Sequence, residues 1–157
     1  MKTLVVYYSR SGSTRKVAEE LRAHLGADIE EITEPKGRGG PLGWLKSGRE
    51  STKGDIVPIN PPKADPSAYE LVVVGTPTWA GNVSSPVRSY LTETRGKLSS
   101  AAFFCCMDGN SGETFNTMER VSGRAPVATI EVMSGEVKSG TYKEKLKAFS
   151  GKIAATS

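Results

Sequence analysis

From Val5 to Leu21 the chain reads V-V-Y-Y-S-R-S-G-S-T-R-K-V-A-E-E-L, an apolar run that passes through a hydroxyl-rich turn into an amphipathic segment. Leu4 to Tyr8 is short, aliphatic and aromatic, which predicts a buried strand. Beyond it Val17, Ala18, Leu21 and Leu25 recur at helical spacing and predict a helix over Ser13–Leu25. The turn between them, Ser9-Arg10-Ser11-Gly12-Ser13-Thr14, carries four hydroxyls in six residues. It falls where a helix begins, and there free N–H groups and the positive end of the helix dipole attract an anion. Gly12 permits a sharp turn or a close backbone approach. One of these hydroxyls is enough to cap the helix. The surplus suits a terminal phosphate better than plain capping. The turn has neither the Gly-Lys-Ser/Thr of a Walker A loop nor the G-x-G-x-x-G of a dinucleotide fingerprint.

The remaining elements follow the same alternation. Asp28–Thr33 reads as an edge strand, and Leu71-Val72-Val73-Val74 as a central strand covered on both faces. Ser85-Pro86 opens a helix with Val87, Tyr90 and Leu91 inward, proline being suited to a first turn. Ala101–Met107 is a fourth strand, Glu113–Val121 a helix, Val127–Met133 a fifth strand, and Thr141–Phe149 a last helix with Tyr142, Leu146 and Phe149 inward. Repeated β-α units predict an α/β fold of three layers: one doubly wound, five-stranded parallel sheet with helices on both faces. The 157 residues suit a single domain. Its one irregular piece is an insertion over residues 34–62, which holds a short helix candidate at Leu42–Glu50 with Trp44, and a brief extended candidate at Asp55–Pro58.

Composition excludes several functions. The 37% hydrophobic and 24% charged residues are ordinary for a globular chain. No apolar run reaches the length of a membrane span, and the chain goes into a strand directly after Met1-Lys2-Thr3, without a signal-peptide pattern. Cys105 and Cys106 are neighbours on a strand and point to opposite faces, so a disulfide between them is not expected. A cytoplasmic location follows as an expectation. The single histidine, His24, lies far from any cysteine pair, which leaves no metal-ligand pattern. The net charge is +4 and the isoelectric point about 9.1. The densest basic stretch, Lys36 to Lys53, is accompanied by no recognition motif or aromatic stacking platform and reads as a solvated insertion rather than a nucleic-acid surface.

In a doubly wound sheet, ligands sit beyond the carboxyl ends of the strands. Three loops are expected there: the hydroxyl turn, then Gly75-Thr76-Pro77-Thr78-Trp79-Ala80-Gly81-Asn82, then Met107-Asp108-Gly109-Asn110-Ser111-Gly112. Trp79, beside glycine and proline just past a buried strand, is expected at a rim. There it either plugs the sheet end or offers a flat apolar surface to a ligand.

The order of an aliphatic pair, an aromatic, Ser9, Gly12, Thr14, Ala18 and Leu21 resembles the flavodoxin signature across all 17 positions from Val5 to Leu21. The resemblance implies the strand order 2-1-3-4-5 and FMN as cofactor, with no metal. It implies that Ser9, Arg10, Ser11, Gly12, Ser13 and Thr14 hold the phosphate. Thr76, Pro77, Thr78, Trp79, Ala80 and Gly81 would flank the flavin. Met107, Asp108, Gly109, Asn110 and Gly112 would meet its pyrimidine edge. Many flavodoxins stack a tyrosine from this third loop on the outer flavin face, and none stands between Met107 and Glu113 here. Trp44 is one candidate to replace it. An electron carrier is the first reading. The alternative is an FMN-dependent NAD(P)H oxidoreductase of the quinone-reductase type, favoured by the missing tyrosine and the basic charge. A binding module for another phosphorylated ligand is the third. The expected partner is a redox protein or NAD(P)H.

Overall fold

The structure is a computed structural model and describes residues 1–35, residue 49 and residues 54–156. The helix candidate at Leu42–Glu50, Trp44, Lys46 and Lys53 lie outside the described residues, apart from Arg49, which is helical and exposed. Five strands run parallel: β1 (Thr3–Tyr7), β2 (Asp28–Glu31), β3 (Leu71–Trp79), β5 (Ala101–Met107) and β6 (Thr129–Met133). Their order is β2-β1-β3-β5-β6, with a short β4 (Asn82–Val83) antiparallel to the end of β3. Counting the parallel strands alone, this is the expected 2-1-3-4-5. The five parallel strands are those expected, and β4 adds a short antiparallel ribbon off their path.

Strand alternation divides the core in two. Val5 and Tyr7 of β1, Val73 of β3, and Phe104 and Cys106 of β5 face one side. There they meet Val17, Ala18 and Leu21 of α1 (Ser13–Leu25) and residues of the C-terminal helix. Leu4, Val6, Val72, Val74 and Phe103 face the other side. They pack on Val87, Tyr90 and Leu91 of α2 (Ser85–Glu93) and Met118 of α3 (Thr114–Ser122). A six-residue α4 (Ser134–Ser139) follows β6, and α5 (Tyr142–Ala154) closes the chain with Tyr142, Leu146, Phe149 and Ile153 buried. The helix α4 is too short to announce itself by periodicity. Asp55–Pro58 forms no strand. Instead the hydroxyl of Ser89 on α2 accepts from the N–H of Val57 (2.9 Å) and donates to its carbonyl (2.8 Å).

The largest departure from expectation is β3, which continues through the supposed loop to Trp79. Its register with β5 runs from Val72↔Ala101 to Pro77↔Cys106. On the other side β1 stops at Tyr7↔Gly75. Beyond Gly75 that edge of β3 has no β1 partner, and a proline without an N–H is tolerated there. Gly75 is required by its neighbour: a Cβ at this position would fall inside the ring of Phe104, which is fully buried. Gly75→Ala is therefore expected to force the ring aside and to cost roughly 1–3 kcal/mol, or about 2–12 °C of melting temperature. A thermal melt matching that of the parent would show that Phe104 yields freely.

Candidate functional site

The carboxyl ends of β1, β3, β5 and β6 meet at one rim. Between them lies a depression of about 110 Å3 lined by Arg10, Ser11, Ser13, Thr14, Pro77, Thr78, Trp79, Cys106, Met107, Asp108 and Ser134. All three expected loops therefore contribute.

The hydroxyl turn is built around Ser9. Its Oγ accepts from the N–H of Gly12 (3.1 Å) and of Arg15 (3.3 Å), which folds the turn back over the start of α1. Gly12 takes φ +103° with nothing within 4 Å of where a Cβ would stand. Glycine is thus needed there for its backbone angle, not for space. Among the described residues the N–H groups of Ser11, Ser13 and Thr14 have no acceptor. The first turn of α1 holds no acidic side chain. Helices usually place acids there to offset the dipole, so this one keeps its positive end available to an anion. Arg15 turns away from the depression to pair with Glu31 on β2 and to hydrogen-bond Tyr7. The phenol of Tyr7 titrates above its usual value, because burial outweighs the Arg15 bond.

The second loop is a hairpin. Ala80 (φ +51°) and Gly81 (φ +72°) form the two positive-φ residues between β3 and β4, the pattern of a type I′ turn. This turn folds Trp79 inward. Trp79 is only 8% exposed and stands edge-on to Tyr8, with ring centroids 5.6 Å apart and planes at 87°. The expectation of a rim position outside the core is therefore corrected: the indole belongs to the core cluster and also lines the depression. Thr76 is fully buried, and its hydroxyl bonds Ser84 Oγ (2.9 Å). It shapes the loop and does not line the depression. Ala80 and Gly81 likewise build the turn.

The third loop is clasped to the second. Glu113 N–H donates to the carbonyl of Gly81 (2.8 Å), and Gly112 (φ +50°) lies so close to that carbonyl that no Cβ fits. Asn110 Oδ1 accepts from Gly112 N–H (3.0 Å), and the Ser111 hydroxyl bonds Glu131 on β6. Met107 and Asp108 line the depression, whereas Gly109, Asn110 and Gly112 stand outside its lining.

Sequence reasoning missed two lining residues. The sequence places Cys106 on a strand and gives it no part in the site. Its thiol contacts Thr14, and burial pushes its pKa up to about 12; Cys105, bonded to Thr78, is likewise pushed up to about 12. Both remain protonated and are not nucleophiles. Ser134 follows the last strand and donates to Met107 O (3.4 Å). Applying the strand-end rule to β6 as well as to β1, β3 and β5 would have found it. His24 is exposed on α1 beside Glu20 (3.4 Å), far from this rim.

No protein-family model matches the chain. Solved structures do. An FMN complex of a flavoprotein from Lactobacillus acidophilus superposes with a TM-score of 0.73 at 23% identity, covering 88% of this chain and 97% of that one. Flavodoxin 2 from Bacillus cereus matches with a TM-score of 0.61 at 16% identity over the full length of both chains. This is the flavodoxin-like fold. A candidate flavoprotein from Bacteroides eggerthii has the same fold, with a TM-score of 0.77 at 22% identity over 98% of each chain. Among the described residues of this flavodoxin-like chain, no helix is long and apolar enough to cross a membrane, and no group of His, Cys, Asp and Glu could hold a metal ion.

Proposed function

We propose that the chain binds FMN at this rim and works as an electron-transfer protein through it. One observation carries the reading: an unshielded helix N-terminus, three N–H groups without acceptors and the hydroxyls of Ser11, Ser13 and Thr14 converge on a single depression. These donors fit a phosphate. The Lactobacillus acidophilus relative in fold was solved with FMN, which supports the same choice. At about 110 Å3 the depression is well below the 300–1,000 Å3 of a pocket that engulfs a ligand. It would take the phosphate and part of the ribityl chain, and the rings would rest on the rim.

Ser9 and Gly12 would shape the phosphate turn, with Arg10 beside it. Ser134, opposite the turn, would donate to the ribityl or phosphate oxygens. Pro77, Thr78 and Trp79 would bound one side of the flavin, with Ala80 and Gly81 fixing that loop. Asp108, Gly109, Asn110 and Gly112 would present polar groups to its pyrimidine edge. FMN, when bound, supplies the one- and two-electron chemistry. The chain would bind it, orient it and keep water from its covered face.

A second reading is an NAD(P)H-dependent oxidoreductase. It is favoured by the exposed, aromatic-free loop over residues 108–112, which leaves the outer flavin face open to a nicotinamide. Under either reading the partner is a redox protein or NAD(P)H. The two free, buried cysteines suit a cytoplasmic location.

The test is an anaerobic titration of the FMN-loaded protein, first with NADH and NADPH, then with dithionite. The carrier reading expects the flavin absorbance to bleach with dithionite only. Rapid bleaching by a nicotinamide would select the oxidoreductase. A protein that elutes without flavin after loading with excess FMN would sink both.

A further inference from the structure

β2 is an edge strand of the sheet, beside the face that carries α2 and α3. The crossover from β2 to β3 passes there, since Ile59 and Ala64 pack against the cluster that holds Leu4, Ile32 and Tyr90. Over residues 55–64 this crossover is an irregular strap without helix. It is fastened at two points, to β2 itself and to Thr33 just past it. Asn60 donates its backbone N–H to Thr33 O (2.8 Å) and its side-chain amide to Thr33 Oγ1 (2.8 Å). The N–H groups of Lys63 and Ala64 donate to the two carboxylate oxygens of Glu30 (2.7 and 2.8 Å). Between the fastenings a groove of about 1200 Å3 opens, with Leu4, Ile32, Ile59 and Tyr90 among its walls.

Tyr90 is 1% exposed, and its hydroxyl has no hydrogen-bond partner. A buried hydroxyl without a partner is uncommon, because it forfeits its bonds to water with nothing in return. Burial chiefly, and then the charges of Glu30 and Asp65, hold the Tyr90 phenol in its protonated, donating form. The acids along the groove are engaged elsewhere: Asp28 accepts from the Tyr69 hydroxyl (2.7 Å), Glu30 holds the strap, and Glu31 pairs with Arg15. The unmet group is thus a donor beside the apolar residues Leu4, Ile32 and Ile59, in a groove whose lining also includes charged side chains. The neighbouring carboxylates disfavour an anion as its acceptor.

We propose that this groove binds a neutral, largely apolar molecule bearing a carbonyl group, which accepts the hydrogen bond of the Tyr90 hydroxyl. The hydroxyl is closed to a water-sized contact, so the carbonyl reaches it as Lys63 and Ala64 part from Glu30. This site lies along the β2 edge, apart from the depression at the strand ends, and does not depend on the flavin reading.

The experiment is an amide NMR titration of the full chain, kept saturated with FMN, using 1-tetralone and its carbonyl-free counterpart tetralin. Tetralone is expected to shift the amides of Ile32, Ile59, Lys63 and Ala64. Tyr90→Phe is expected to weaken tetralone about tenfold, the worth of one neutral hydrogen bond, and to leave tetralin unchanged. The variant should melt no lower than the parent, because it removes a donor without a partner. Silent amides at the strap, shifts confined to Ser11, Ser13 and Thr14, equal loss of both probes, or a sharp fall in melting temperature would each overturn the proposal.

Discussion

FMN is expected to bind this chain at least about a thousandfold more tightly than riboflavin. The two ligands differ only in the phosphate, so the difference reads the hydroxyl turn alone. Among the described residues the N–H groups of Ser11, Ser13 and Thr14 have no acceptor. Each charge-assisted bond to a phosphate contributes on the order of 1.5–3 kcal/mol. Three of them at the low end give about 4.5 kcal/mol, or roughly three decades. The missing acid in the first turn of α1 leaves the dipole to add to this. Ser11→Ala is the cleanest probe because Ser11 is exposed and carries no packing. It should weaken FMN roughly tenfold to a hundredfold and leave riboflavin within a factor of two. The preference should also shrink as pH falls below about 6, where the phosphate loses its second charge. Equal affinities for the two ligands at neutral pH, measured by quenching of flavin fluorescence, would show that the turn is only a cap.

Much of this fold was legible because its local signals agree. At the end of β1 a continuous apolar run gives way to a 3.6-residue period across a glycine and three serines, and the helix spans Ser13–Leu25 as its pattern requires. Ala101–Met107 is uniformly apolar and uniformly buried. The second loop was misread because glycine and proline normally punctuate a strand. Here each has a tertiary cause: Gly75 lies under the Phe104 ring, and Pro77 lies past the point where β1 stops pairing. Both facts belong to strands distant in the chain, so no local pattern carries them. Thr76 illustrates the same limit. A threonine in a presumed ligand loop looked available, yet its hydroxyl is spent on Ser84. Ser134 went unseen because α4 has only six residues, too few for a period. What the sequence conveyed well was the chemistry of the turn. What it concealed was how far the strands run before the loops begin.

That length decides the fate of Trp79, and its truncation should be the most damaging single change at the rim. Had Trp79 stood on an open loop, Trp79→Ala would alter ligand contact and little else. The residue is instead 8% exposed, packed edge-on to Tyr8, and the last residue of β3 before the turn at Ala80 and Gly81. The indole belongs to the cluster that includes Val83 and Met118, so its removal leaves a cavity beneath the hairpin. Losses of about 3–5 kcal/mol are usual for a buried tryptophan truncated to alanine. The edge-to-face pair with Tyr8 accounts for about 0.5–1.5 kcal/mol of such an effect. Chemical denaturation of the FMN-free protein is therefore expected to show Trp79→Ala strongly destabilised before any ligand is added. Trp79→Phe keeps an aromatic against Tyr8 and should lose much less. It also separates the two roles of the residue: bound FMN should fluoresce more brightly in Trp79→Phe than in the parent if the indole quenches it. A Trp79→Ala protein as stable as the parent without FMN would return Trp79 to the rim. An equally dim flavin in Trp79→Phe would make it a core residue alone.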